Sequence, residues 1–265
     1  GLGNDFVVID QRQTPVALDT ALVRAIGNRR WGVGFDQLAE IRAGADTDLE
    51  ITFWNADGTI AGACGNATRC IASLVLASGT AETVTMRTAN GVLAGRTRPD
   101  GVVEVDMGAV HLDWQAIPLA HAADTASLPL EGAPGAVNVG NPHAVFFVED
   151  AEAVDLKTLG PRWEHDAFFP EKTNVEFCQV IDAQTIRMRV WERGTGVTEA
   201  CGSGACAAVV AAARKGLTGR SARVILDGGP LEITWTQDNH ILMAGPTASV
   251  FEGVLSPDFV ADHAG

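Results

Sequence analysis

The sequence predicts an α/β protein of the α+β kind: two pseudo-symmetric domains from an internal duplication, each a mostly antiparallel sheet rolled around one central buried helix, with the active site in the cleft between them. Three observations carry this expectation. Residues recur at a constant spacing of 137, pairing Gly3-Asn4 with Gly140-Asn141, Gln37 with Asn174, Trp54 with Trp191, Ala63-Cys64-Gly65 with Ala200-Cys201-Gly202, Asn90-Gly91 with Asp227-Gly228 and Gly108 with Gly245. One segment in each half, 66–78 and 203–215, is small or apolar on nearly every face, which is the composition of a helix buried all round. Alternating apolar runs stand on both sides of each such segment and would wrap a sheet about it.

In chain order, Phe6 to Asp10 and Ala144 to Val148 read as short apolar strands. Glu50 to Trp54 and Thr185 to Trp191 alternate as strands do and lead into Gly-rich turns. Cys-Gly then opens the helix of each half. Beyond the helices, Thr83 to Arg87, Val102 to Met107, Arg223 to Leu226 and Leu231 to Thr236 alternate again, with Asn90-Gly91, Asp100-Gly101 and Asp227-Gly228 supplying turns. Pro118, Pro129 and Pro134, set among many alanines, mark a linker between Gly108 and Pro134. The domains are accordingly placed at 1–117, carrying Cys64, and 118–265, carrying Cys201, with the last residues packing back on the first domain.

Composition narrows the function. At 46% hydrophobic residues over 265, the chain is too apolar for disorder, and its longest uncharged apolar runs fall far short of the ~20 residues of a membrane-spanning helix. With 33 acidic against 19 basic residues, its net charge of -14 has the wrong sign for nucleic-acid phosphates or anionic lipid. A small-molecule partner follows, with no nucleic acid and no membrane. Five cysteines, an odd number in a chain large enough to be held by its core, point to a reducing compartment and a cytoplasmic protein. Gly1 is preceded by no leader, and a few residues are read as missing from the start.

Cys64 and Cys201 occupy equivalent positions, each followed by Gly at the start of a buried helix. Unpaired N–H groups and the helix dipole favour an anion there, lowering a thiol's pKa and cradling a carboxylate. If the halves face each other, one sulfur takes a proton from a carbon while the other returns one to the opposite face. Such a pair inverts a carbon next to a carboxylate with no cofactor. Cys70, Cys178 and Cys206 are assigned to packing. No metal is expected, because the Cys-x5-Cys and Cys-x4-Cys spacings lack the tight knuckles of structural zinc and the six His are scattered.

The runs Gly1-Leu2-Gly3-Asn4-Asp5-Phe6, Asn55-Ala56-Asp57-Gly58 leading to Cys64-Gly65-Asn66, Gly140-Asn141-Pro142-His143, Thr173-Asn174, and Glu192-Arg193-Gly194 leading to Cys201-Gly202-Ser203-Gly204 resemble the signature of diaminopimelate epimerase over nearly the whole chain. The resemblance implies interconversion of LL- and meso-2,6-diaminopimelate, without pyridoxal phosphate or metal, in lysine and peptidoglycan precursor synthesis. It makes Cys64 and Cys201 the paired base and acid. Gly65, Asn66, Gly202 and Ser203 would offer N–H groups to the reacting α-carboxylate. Asn4, Gln37, Asn55, Asn141, Asn174, Glu192 and Arg193 would line the substrate site, Arg193 gripping the distal carboxylate, and His143 would orient groups near the reacting centre. A homodimer is the assembly the resemblance suggests. The chain departs from the family at Ala67, where a second Gly is common, at Phe35, where a small residue is usual, and at Phe251, where Tyr is common near the dimer contact; it has no Tyr at all.

Three other functions compete: a proline racemase or hydroxyproline epimerase relative, a dithiol switch using the same two cysteines, and a non-catalytic binding module. The first is expected to lack the Glu192-Arg193 pair and the several Asn that suit a second amino-acid head. The second predicts thiol exchange and no stereoinversion, and the third tolerates loss of either thiol.

Overall fold

The computed structural model describes residues 1–62, 64–79 and 81–263. Ala63 of the repeat, and Ala264 and Gly265 at the end of the second expected domain, lie outside the described residues. The elements run β1 (Phe6–Asp10), α1 (Thr20–Gly27), β2 (Gln37–Ala43), β3 (Leu49–Asn55), β4 (Ile60–Ala61), α2 (Gly65–Leu76), β5 (Thr83–Thr88), β6 (Gly91–Thr97), β7 (Val103–Ala109), β8 (Gly135–Asn138) and β9 (Pro142–Phe147). They continue with α3 (Leu156–Glu164), β10 (Asn174–Asp182), β11 (Thr185–Glu192), β12 (Gly196–Val197), α4 (Gly202–Arg214), β13 (Ser221–Leu226), β14 (Gly229–Trp235), β15 (His240–Gly245) and α5 (Pro257–His263).

The chain divides into two compact units. Unit 1 holds Gly1, Gly3–Val105 and residues 247–263, and unit 2 holds Leu2 and Asp106–Pro246. In unit 1 the strand order begins β1-β2-β3-β5-β6-β7; β1 and β2 pair in parallel, β2 and β3 antiparallel, β3 and β5 in parallel, β5 and β6 antiparallel. In unit 2 the order is β15-β14-β13-β11-β10-β9-β8, and the pairs β9/β10, β10/β11, β11/β13 and β13/β14 repeat that sequence of senses. The register follows the repeat as well, since Phe6 lies opposite Gln37 and His143 opposite Asn174. Asp227-Gly228 forms the two-residue hairpin loop expected of it, closing the Leu226 to Gly229 pair.

The helix after Cys201 matches its composition. Ten of the 13 residues of α4 are buried, and Val209 and Val210 sit among Val145, Met188, Val224, Leu231, Ile241 and Met243 of the surrounding strands. Ala and Gly on the remaining faces let strands approach from several sides. Its partner is less enclosed. Helix α2 buries Ala67, Ile71, Ala72 and Leu76 but leaves Leu74 42% exposed, and it carries a fully buried charge, Arg69, which donates to Asn66 Oδ1 at 3.3 Å. A reading by side-chain size alone missed this, because a long guanidinium stem packs like an apolar chain when its head finds an acceptor.

The Pro-rich stretch also differs from its expectation. Residues 110–134 contain no helix or strand, yet Ile117, Leu119 and Leu128 are buried in a second core of unit 2 with Phe146, Trp163, Phe168 and Phe177. The contact division falls at Val105/Asp106, ahead of this stretch, so proline here shapes a packed covering layer. Strands β9 and β10 are therefore buried on both faces. Val145 and Cys178 look toward α4, and Ala144, Phe146, Val175 and Phe177 look toward the second core. In unit 1, Leu22, Val23 and Ile26 of α1 pack with Phe35 and Leu38, while Phe259 and Val260 of α5 lie against the same cluster.

The tight fit of α4 sets a test. Ala208→Leu forces extra methylenes into a full space and should cost about 1–3 kcal/mol, whereas Leu74→Ala on the open face of α2 should stay within about 0.5 kcal/mol. Urea unfolding of the two variants checks the contrast.

Candidate active site

Each Cys is the N-cap of its helix. Cys64 has extended backbone (φ −148°, ψ 103°), and its Sγ accepts the Ala67 N–H at 3.4 Å. Cys201 (φ −120°, ψ 107°) does the same for Gly204 at 3.3 Å. The cap thus satisfies one N–H of the first turn, while Gly65 and Asn66 after one sulfur and Gly202 and Ser203 after the other occupy the first two helical positions, whose N–H groups have no intrahelical acceptor.

In unit 1 the expected residues form two pairs. Asn66 Nδ2 donates to Asn4 Oδ1 at 2.9 Å, and Asn4 Nδ2 donates to Asp36 Oδ2 at 3.1 Å. Arg29 bridges Asp36 and Asp5 at 2.7 Å from each, and this guanidinium holds the Asp5 carboxyl below its ordinary value. The first β-strand is thereby tied to the start of β2, next to the helix N-terminus. The second pair lies across β2 and β3: Gln37 Nε2 donates to Asn55 Oδ1 at 3.4 Å, and Asn55 Nδ2 donates to Thr59 Oγ1 at 3.0 Å.

In unit 2 the site is buried and acidic. His143, fully buried on β9, bonds Glu176 Oε1 through Nδ1 at 2.6 Å and Asn141 Oδ1 through Nε2 at 2.8 Å. Asn174 joins two loops, accepting the Arg193 N–H at 2.9 Å on Oδ1 and donating from Nδ2 to Pro142 O at 2.9 Å. Glu192 Oε1 accepts the Thr198 hydroxyl at 2.5 Å. Arg193 is exposed and donates from Nη1 to Glu171 O at 3.2 Å.

Electrostatics separates Cys201 from the expectation of an acidic thiol. Burial pushes it well above the ordinary thiol value, and the carboxylates of Glu192 and Glu176 push the same way; the bonds from Ser203 and Gly204 pull down and lose. Removing a thiolate from water costs more than one helix end returns. Burial also raises Glu192, against the pull of Thr198 and His143. Cys178 is raised by burial and by Glu176, in line with a packing thiol.

Two carboxylates here were absent from the sequence reading. Glu176 is fully buried on β10, and a Cβ built on Gly204 would lie 2.8 Å from its Oε1 and 3.3 Å from Cys201 Sγ, so only glycine lets both groups meet that helix turn. Strand period could have found it, since Glu176 shares a face with Asn174 and Cys178. Glu164 ends α3 and carried no signal, because a Glu in a short polar helix reads as solvated. Among the described residues no group of His, Cys, Asp and Glu is arranged to hold a metal, and no helix is long and apolar enough to cross a membrane.

The diaminopimelate epimerase family model matches residues 1–112 and 135–250. The chain belongs to this family. A diaminopimelate epimerase from Rhodospirillum centenum is 57% identical over 263 residues, covering 97% of this chain and 90% of the relative. One from Gluconobacter oxydans is 50% identical over 259 residues, covering 97% and 96%. Among solved structures, a PhzF-family phenazine biosynthesis protein from Bacillus anthracis superposes with a TM-score of 0.61 at 13% identity, covering 86% of each chain, and shares the fold.

The Cys201 thiol should stay protonated through pH 8 and alkylate slowly with iodoacetamide. Glu192→Gln removes one of the charges that raise it, so more thiolate exists at a given pH and alkylation should quicken. Peptide mapping over time at pH 8 reads the rate; an unchanged rate would show that Glu192 does not raise this thiol.

Proposed function

We propose that this family member interconverts LL- and meso-2,6-diaminopimelate in lysine biosynthesis by moving one Cα proton between two thiols, with no cofactor. The observation that carries the reading is the repeated N-cap: a sulfur at Cys64 and at Cys201, each bonded to the third N–H of its own helix. In one direction a thiolate removes the Cα proton, the electron pair moves toward the α-carboxylate, and the opposite thiol delivers its proton to the other face. Thiol and thiolate have then exchanged roles, and the reverse reaction resets them.

Burial and its acidic neighbours suit Cys201 to start as the neutral acid, which assigns Cys64 to the base. N–H groups of Gly65, Asn66, Gly202 and Ser203 suit the α-carboxylate and the charge that grows on it as the proton leaves. Glu192 and Arg193, with Asn4, Gln37, Asn55, Asn141 and Asn174, suit the ammonium and carboxylate of a second amino-acid head. His143 supports Asn141 from behind. The two working thiols must remain reduced, and a cytoplasmic location fits that need.

In deuterated water with LL-diaminopimelate, the reading expects meso product carrying solvent deuterium at the inverted carbon. Cys64→Ala and Cys201→Ala should each lower turnover by roughly 10²-fold to 10⁴-fold or more, while Cys178→Ala and Cys206→Ala should change stability more than turnover. Substantial activity in either of the first two would sink the two-thiol mechanism. Arg193→Lys keeps charge but loses the planar fork, and should lower kcat/KM by about 1.5–3 kcal/mol. An unchanged kcat/KM would mean that the distal head is held elsewhere.

A further inference from the structure

The turn that carries Glu192 and Arg193 is short and exposed, yet its backbone is held at three points. Thr195 N–H returns to Glu192 O at 3.1 Å, and Gly194 stands at φ +75°, the left-handed position that a type II turn requires at its third residue. Arg193 N–H is taken by Asn174 Oδ1 at 2.9 Å. Gly194 N–H, the next along, is taken by Glu164 Oε1 at 2.9 Å.

Glu164 is unusual for what it is bonded to. It is only 3% exposed, at the last position of α3, and its other oxygen accepts the Trp191 indole N–H at 2.7 Å. Trp191 is the residue just before the Glu192-Arg193 pair. Helix α3 is seated against that indole: a Cβ on Gly160 would lie 2.4 Å from Trp191 Cγ and Cδ2. One buried carboxylate therefore grips both ends of the substrate turn, the residue before Glu192 and the residue after Arg193, from a helix that supplies none of the expected site residues.

We propose that Glu164 is a positioning residue for the distal-head end of the site: it fixes the Trp191–Gly194 turn so that Arg193 and Glu192 are presented in one geometry. The proposal rests on the reading of those two residues as ligands of the second amino-acid head. Buried carboxylates are costly unless their oxygens are bonded, and here both oxygens are satisfied by donors from the turn itself, so the cost of burying the charge is recovered only while the turn stays in place. The side chain bonds Trp191 and Gly194 and need not touch substrate. Its loss should loosen binding and leave proton transfer intact.

The test uses the full chain with Glu164→Ala, Glu164→Gln, Trp191→Phe and Arg193→Ala. Glu164→Gln keeps the volume and one carbonyl acceptor, so it reports even where the alanine variant fails to fold. The direct readout is hydrogen exchange at the Gly194 amide, whose protection should vanish in Glu164→Ala, weaken in Glu164→Gln and persist in Trp191→Phe. Steady-state kinetics with LL-diaminopimelate should show KM raised roughly tenfold or more in Glu164→Ala, less in Glu164→Gln and least in Trp191→Phe, with kcat little changed throughout. A merely structural role would lower thermal stability in all three and leave KM alone. Unaltered Gly194 protection, or unaltered KM in the Glu164 variants while Arg193→Ala raises it, overturns the proposal. If Arg193→Ala also leaves KM unchanged, the assignment of the turn to the distal head is what fails, and the exchange data still decide whether Glu164 holds the turn.

Discussion

A helix start capped by sulfur is the constraint on which each unit depends. The first N–H groups of a helix have no partner within it, and both units place a sulfur there where an oxygen cap is usual. Because such a terminus must be dry to bind an anion strongly, the helix behind it has to be enclosed. Helix α4 meets this with Ala, Gly, Cys and Val, residues small enough for strands to close in on every side. The sheet, its hairpins and the second core over β9 and β10 then follow from the need to surround one thin helix.

Enclosure has an electrostatic consequence. The same burial that would strengthen an anion's bonds to the helix N-terminus drives the Cys201 thiol toward its neutral form, and the nearby carboxylates add to it. Burial and like charge outweigh the two hydrogen bonds that favour the thiolate, so this helix end favours a neutral thiol. In unit 1 the charged groups behind Asn4 are arranged otherwise. Asp5, Asp36 and Arg29 are about half exposed, where ion pairs contribute only about 0–1 kcal/mol; their effect is to orient Asn4, not to stabilise the fold.

Much of this was legible in the sequence, and the limits are physical. The spacing of 137 residues exposed the equivalence of β1 with β9 and of α2 with α4, and small-residue runs located both helices within two residues. Strand β10 does alternate, Asn174 and Glu176 against Val175 and Phe177, but all four are buried, whereas polar residues on one strand face read as facing solvent. That hid the role of Glu176, whose charge sits on the α4-facing side of a continuous buried run. Helix α3 was missed for another reason: it is polar and carries Pro161 inside, so neither periodicity nor propensity marks it. The sulfurs were found by position, but a helix start favours a thiolate, whereas burial and two carboxylates push Cys201 the other way. Local sequence shows the helix end and does not show how deeply it is buried.

The choice of sulfur argues for chemistry over packing. Ser, Thr, Asn or Asp at an N-cap stabilises a helix by about 1 kcal/mol relative to Ala, and a thiol is a weaker acceptor, as the 3.3 and 3.4 Å contacts to Gly204 and Ala67 reflect. Two helices each forgo part of a good cap, at equivalent positions, while the other three helix starts have oxygen caps, from Asp19, Asp155 and Ser256. Stability alone would place oxygen at all five. A sulfur can carry a proton to and from carbon near neutral pH where a hydroxyl cannot, since an unperturbed thiol titrates near 8.5 and its affinity can be moved either way by burial and by the helix end. What the two starts lose in capping they gain in a group whose proton is held loosely enough to transfer.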